Sequence, residues 1–198
     1  MIQEFRNSDD EKITSQQLPM LDSYKDVLID PATNMIKEER IYENGNLSFV
    51  NYVLYAGENE QSKIDELKVI TDRFSVIKRD AYGADIIETE KEFENDELHF
   101  KLRYLIKAGS RVCWETLDLN TNQPDYKKTK KYYFDSNKEE LLEASYNTNG
   151  SLSSIIYKPS GDENWGQDWE YYDQTTFSVL QAKLTNNINY YLTATLEP

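Results

Sequence analysis

Between Ser160 and Gln174 the chain reads SGDENWGQDWEYYDQ, which sets Trp165, Trp169, Tyr171 and Tyr172 among Asp162, Glu163, Asp168, Glu170 and Asp173. Three kinds of chemistry fit that mixture. Carboxylates can receive the Lys or Arg of a protein partner while Trp and Tyr anchor the contact. Aromatics with acids also line sugar-binding platforms. The third reading is a core one: Trp169 and Tyr171 lie two apart, and on a strand both would point inward. The candidate partner-binding residues are therefore Asp162, Glu163, Trp165, Asp168, Trp169, Glu170 and Tyr171.

Elsewhere the reactive inventory is thin. The chain has one His and one Cys, His99 and Cys113, and these cannot make a Cys/His zinc set. His99 sits between Leu98 and Phe100 in a strand-like run and reads as facing the polar side. Cys113 lies in RVCWETLDL, an apolar and β-prone stretch, and reads as a buried, inert thiol. No Ser-His-Asp set is legible around His99. No phosphate-cradling G-x-x-x-x-G-K or G-x-G-x-x-G occurs among only 7 glycines. DSNKEELLE lacks the loop glycine and final glutamate of a calcium loop. Paired carboxylates carry no information in a chain with 36 acids, so an acid-pair hydrolase is not excluded by composition. The expectation is a non-enzymatic protein with no catalytic residue, cofactor or metal.

Charge bounds the partner. Asp and Glu outnumber Lys and Arg 36 to 22, a formal net of −14, which repels nucleic-acid phosphates and anionic membranes. Such a field serves solubility, or it steers a basic partner. The N-terminus shows no basic start followed by an apolar run, and no apolar stretch approaches the roughly 18 residues of a membrane span. These features lead us to expect a cytoplasmic protein that binds neither membrane nor nucleic acid. With 198 residues and no Pro/Gly/Ser linker, a single domain over 1–198 is expected, and polar residues 1–20 read as a loosely ordered arm.

The elements that must position these residues are mostly strands. YKDVLID, MIKEERIYE and LSFVNYVLYA are separated by Asp30-Pro31 and by Asn44-Gly45, a strong hairpin signal. Ile64, Leu67, Ile70 and Phe74 then fall at helical spacings, which predicts a helix over about 60–71 with Ser62 as its cap. FSVIKRD, IIETEKEFE, LHFKLRYLIK, RVCWETLDL, KKYYF and SLSSIIYK resume the strands. For 136–145 two signals conflict: Ser136 and Glu139 match a capping box, while the surrounding meander favours a strand, which we prefer. Phe177, Leu180 and Leu184 predict a second helix. Ile188, Tyr190, Leu192, Ala194 and Leu196 alternate as in a half-buried strand.

Two stretches repeat. ERIYENGNLSFVNY, 39–52, returns as EKEFENDELHFKLR, 90–103, pairing Tyr42 with Phe93, Asn44 with Asn95, Leu47 with Leu98 and Phe49 with Phe100. A weaker copy has Tyr146, Asn149-Gly150 and Leu152. Each unit places an aromatic before a turn-forming Asn and apolar residues after it, which specifies a hairpin. Successive hairpins extend one antiparallel sheet. The expected fold is mainly β (α+β), an antiparallel meander of repeated hairpins with one or two helices packed on a face.

The spelling Y-x-N-G-x-L before a Tyr-rich strand resembles the MORN-like hairpin repeats of bacterial proteins, over 36–55, 87–107 and 130–157. The chain departs from that pattern where Asp96 replaces the turn glycine and where the usual downstream glycines are missing. Such repeats occur in components of toxin–antitoxin and polymorphic-toxin immunity loci. The resemblance implies an immunity protein that neutralises a cognate toxin by binding, with acids steering a basic toxin and aromatics holding it. Two other readings stay open: a sheet-based scaffold for another protein partner, and a glycan-binding or hydrolysing protein using the Trp-rich acidic loop.

Overall fold

The computed structural model describes residues 1–159, 168–184 and 187–196. The strands are β1 (Ile2–Asn7), β2 (Lys12–Ile13), β3 (Ser23–Asp30), β4 (Met35–Glu43), β5 (Asn46–Val53), β6 (Arg73–Tyr82), β7 (Asp85–Glu94) and β8 (Glu97–Lys107). They continue with β9 (Ser110–Leu117), β10 (Pro124–Phe134), β11 (Glu140–Tyr146), β12 (Leu152–Tyr157) and β13 (Glu170–Tyr172). Two helices accompany them, α1 (Glu60–Ile70) and α2 (Phe177–Lys183). The 13 strands are hydrogen-bonded in the order β13-β12-β11-β10-β9-β8-β7-β6-β5-β4-β3-β1-β2, a mostly antiparallel meander. One step departs from the meander: β5 and β6 run parallel, with Val50 beside Phe74 and Tyr52 beside Val76. Parallel neighbours need a crossover, and α1 supplies it.

Within the single domain expected from composition, the chain divides into two compact units, Met1–Arg79 with Thr89–Lys101, and Asp80–Glu88 with Leu102–Pro198. The division falls inside strands, where no change of composition marks it.

In the first unit the hairpin turns follow from their residues. Asn44 and Gly45 have φ of 50° and 76°, and Asn95 and Asp96 have 50° and 69°. Two successive positive φ values are what a two-residue type I′ turn requires, and Asn and Asp tolerate them better than other side-chain-bearing residues. This is why Asp96 can stand in for Gly45. The repeat also reaches further than its sequence suggests. The amide of Asn44 donates to the carbonyl of Asp22 at 2.6 Å, and that of Asn95 to the carbonyl of Asp72 at 2.8 Å. Tyr24 stacks on Tyr42 at 4.8 Å, and Phe74 on Phe93 at 4.9 Å. Asp72, Phe74, Phe93 and Asn95 thus stand where Asp22, Tyr24, Tyr42 and Asn44 stand. Each hairpin turn is tied to the start of the strand before it.

Helix α1 covers this sheet. Ile64 and Leu67 are buried with Val50, Tyr52, Phe74, Val76 and Phe93. The cap is Asn59 rather than Ser62: the Asn59 side chain accepts the amide of Ser62 at 3.0 Å, satisfying one of the unpaired donors of the first turn. The helix ends at Ile70, and Phe74, counted in its apolar stripe from sequence, belongs to β6. Residues 1–20 are more ordered than a loose arm, because β1 pairs along its whole length with β3, from Ile2 opposite Ile29 to Asn7 opposite Tyr24. A six-residue strand shows little period of its own; pairing with β3 and β2 supplies its order.

In the second unit, Leu142, Ala144, Tyr146, Leu152, Ile155, Tyr172, Phe177, Leu180, Ile188, Tyr191 and Ala194 make one core cluster. Segment 136–145 gives strand β11, and 177–183 gives helix α2, as the patterns indicate. The alternating C-terminal segment does not form the expected strand. It makes a 3-10 turn over Asn189–Leu192 and a single bridge between Ser151 and Thr193. Ile188, Ala194 and Leu196 are buried as the alternation requires, but side chains capture the backbone carbonyls that a ladder would use.

Burial sets the expected energetics of α1. Leu67 is 1% exposed, whereas Val69 is 88% exposed. Leu67→Ala should lower unfolding free energy by roughly 2–5 kcal/mol in urea titrations. Val69→Ala should stay within about 0.5 kcal/mol. Equal effects would show that α1 presents a different face to the sheet.

Candidate functional site

The acidic, aromatic segment is only partly within the described residues: Asp162, Glu163 and Trp165 lie outside them. The remainder is organised by β13, where Glu170 pairs with Tyr157, Tyr171 with Ile156 and Tyr172 with Ile155. Alternation then sends Tyr172 into the core and leaves Tyr171 69% exposed. The core reading of Tyr171 is thereby overturned, since the inward parity belongs to Tyr172. Trp169 is half-buried, with the Lys158 ammonium 4.9 Å from its ring centroid and no hydrogen-bond partner for its Nε1 among the described residues. Asp168 is half-buried as well.

Glu170 is not a free anion. Its carboxylate accepts from Lys183 Nζ at 2.5 Å and from the Tyr172 hydroxyl, and these bonds, Lys183 first, hold its pKa below the ordinary carboxylate value. Asp173 starts the turn into α2. Its Oδ1 accepts the amides of Thr175 and Thr176 and both their hydroxyls, which lowers its pKa to about 2. Of the described candidates, Tyr171 is the side chain displayed most fully to a partner. His99 is exposed, edge-on to the Phe100 ring at 4.4 Å.

A second constellation had no motif to reveal it. Lys131 is fully buried on β10, opposite Cys113 of β9 and Ala144 of β11. KTKKYYF offers several lysines, and only strand parity selects Lys131 as the inward one. A buried ammonium must be satisfied or it neutralises. Here Nζ donates to the carbonyl of Tyr190 at 2.7 Å and lies 3.3 Å from the Tyr190 ring centroid. The Tyr146 hydroxyl donates to the carbonyl of Tyr191 at 3.1 Å. Tyr191 donates to the carbonyl of Tyr132 at 3.1 Å, and Tyr190 to that of Leu196 at 2.7 Å. The first three of these bonds pin the C-terminal 3-10 turn against the sheet, and the fourth closes the C-terminal segment on itself. They take carbonyls that the expected strand would have used.

Burial shapes the protonation of this centre. It pulls the Lys131 ammonium down to about 8, against the opposing pull of Cys113 and Glu115. It pushes the Cys113 thiol up to about 12 and raises the hydroxyls of Tyr146, Tyr190 and Tyr191. A thiol so raised stays protonated near neutrality and is a poor nucleophile. Nearby, the carboxylate of Glu115 is buried and accepts Arg103 Nε at 3.0 Å and Nη2 at 2.5 Å. Its pKa is nevertheless raised, because desolvation outweighs the guanidinium. The arrangement is a structural staple: it orders tyrosines, and its ammonium is closed from solvent.

Among the described residues no group of three or more His, Cys, Asp and Glu side chains could hold a metal ion, and no helix is long and apolar enough to cross a membrane. Compared with known proteins, the chain matches no family model, no curated protein and no solved structure.

The depressed ammonium gives a pH signature. Between about pH 8 and the ordinary lysine value of 10.5, the unfolded chain keeps this proton and the folded chain does not. Unfolding therefore takes up a proton, and the contribution of Lys131 to stability rises with pH. Cys113 acts oppositely from about pH 9, where the unfolded chain loses a thiol proton that the folded chain retains. Lys131→Met isolates the first effect. The wild-type advantage over the variant should grow by on the order of 2 kcal/mol between about pH 7.5 and 9.5 in urea titrations. A difference independent of pH would mean that the ammonium is not the titrating group.

Proposed function

We propose that this chain is a cytoplasmic, non-enzymatic immunity protein that binds and neutralises a basic protein toxin. The observation that carries the reading is Tyr171, a large aromatic 69% exposed on edge strand β13 and contiguous in sequence with the acidic, Trp-rich segment. Tyr and Trp are over-represented among residues that dominate binding energy, and a displayed tyrosine on an edge strand offers ring, hydroxyl and backbone together. Two further features support the reading: the net charge of −14 and the repeated Asn-turn hairpins that resemble those of immunity loci.

The mechanism follows from the charges. A field of one sign accelerates encounter with the opposite sign, so the acids would set the rate of association with a basic toxin. Tyr171, with Trp165 beside it in the segment, would set the lifetime of the complex. Inhibition needs no chemistry from the chain; the bound segment occludes the toxin's own site.

The test is co-purification with the product of the adjacent gene, followed by binding kinetics at low and high salt. Association should slow with added salt, and Asp162→Asn should mainly lower the on-rate. Tyr171→Ala should weaken the complex by roughly 2 kcal/mol or more, mostly through faster dissociation. A complex indifferent to salt and to both substitutions would move the interface elsewhere. Retention or cleavage of a glycan without any protein complex would replace the immunity reading altogether.

A further inference from the structure

The second unit contains a cavity of about 490 Å³, within the range that holds drug-sized ligands. Its walls are unusually aromatic: Tyr132, Tyr133 and Phe134 from β10, and Tyr190 and Tyr191 from the C-terminal 3-10 turn. The hydroxyl-to-carbonyl bonds already described hold Tyr190 and Tyr191, which meet edge to face at 5.3 Å, and Tyr132 lies 6.3 Å from Phe134. Flat aromatic walls favour a flat ring between them.

The cavity also carries lysines. Lys107 and Lys138 both line it. Lys107 Nζ stands 5.5 Å from the Tyr190 centroid, and its carboxylate neighbour, Asp85, is 3.5 Å away. Lys138 is exposed, sits at φ 68°, and has no ion pair among the described residues. Asp135, the carboxylate in the wall, is turned to its own loop: Oδ1 accepts the amides of Asn137 at 2.8 Å and Glu139 at 2.9 Å. That same turn fixes Lys138 at the cavity. Behind the Tyr190 ring lies a third cation, Lys131. In a protein with net charge −14, an aromatic cavity whose mouth carries Lys138, with Lys107 in its wall, suits an anion.

We propose that this cavity is a binding site for a small aromatic anion, a flat ring system bearing one carboxylate or sulfonate. The ring lies among Tyr132, Tyr133, Tyr190 and Tyr191, and the acid group reaches Lys107 and Lys138. An inorganic anion alone would leave the aromatic walls unfilled, and a neutral ring would leave the Lys138 ammonium unused. The site is independent of the surface assigned to a toxin, so either can stand without the other.

Calorimetric titration of the full chain with 1-naphthoate, its neutral counterpart 1-naphthylmethanol and inorganic phosphate tests the assignment. Saturable one-to-one binding of 1-naphthoate is expected, with the alcohol and phosphate each at least about tenfold weaker. Lys138→Gln, an exposed change that leaves the fold intact, should weaken 1-naphthoate about fivefold or more without affecting the alcohol. Ser110→Phe, which fills the cavity from β9, should abolish binding while far-UV circular dichroism stays unchanged. Equal affinity for acid and alcohol would overturn the charge assignment. Absence of saturable binding at about 1 mM ligand, or binding indifferent to Ser110→Phe, would overturn the site.

Discussion

A sheet in which nearly a third of all residues carry charge stands only if cations meet carboxylates across its strands, and this pairing is the constraint on which the structure depends. Arg103 of β8 holds buried Glu115 of β9, and Arg111 holds buried Glu88 at 2.6 Å. Lys130 reaches Glu143 at 2.7 Å, and Lys158 reaches Glu140 at 2.5 Å. In the first unit Lys37 meets Glu58 at 2.7 Å while lying over the rings of Tyr52 and Tyr55. Exposed pairs of this kind are worth little, but a buried carboxylate stripped of its cation is costly. These cations are thus engaged within the fold, and acids remain in surplus over the whole chain.

That constraint also sets off the aromatic cavity, where Lys138 stands beside tyrosine rings and makes no ion pair among the described residues. Asp135 lies in the same wall, but its Oδ1 is held by two backbone amides of its own turn. A loop's internal hydrogen bonds therefore decide which way a carboxylate faces.

Tyrosine links the two units' chemistry to their stability in different ways. In the first unit Tyr24 and Tyr42 stack, and Tyr52 donates its hydroxyl to Glu58 at 2.9 Å. In the second, the hydroxyls of Tyr146 and Tyr190 cap carbonyls of the C-terminal segment, which has no ladder, and that of Tyr191 reaches the Tyr132 carbonyl on β10. The amphipathic ring suits both tasks, because its body fills the core while its polar tip finds an acceptor.

What the sequence determined by itself was whatever local chemistry enforces. Asn44-Gly45 and Asn95-Asp96 had to turn, since few other pairs accept two positive φ values, and Ile64 and Leu67 had to face a sheet; for 136–145 the local signals conflicted, and the pairing of Glu140–Tyr146 with its neighbours decided for a strand. Strand β1 escaped notice because so short a strand borrows its order from its neighbours, β3 and β2. The C-terminal alternation of Ile188, Tyr190, Leu192, Ala194 and Leu196 was real as a burial pattern but wrong as a strand, because distant side chains, Lys131 and Tyr146, captured its carbonyls. The same reason hid the Lys131 centre and the cavity. Their residues come from β8, β9, β10 and the chain's end, and no spacing along the sequence encodes that meeting. In the acidic segment, composition singled out Tyr171, but only the pairing of β13 with β12 could decide that Tyr172 turns inward and Tyr171 out. Parity in a strand is set by register, and register is a tertiary fact.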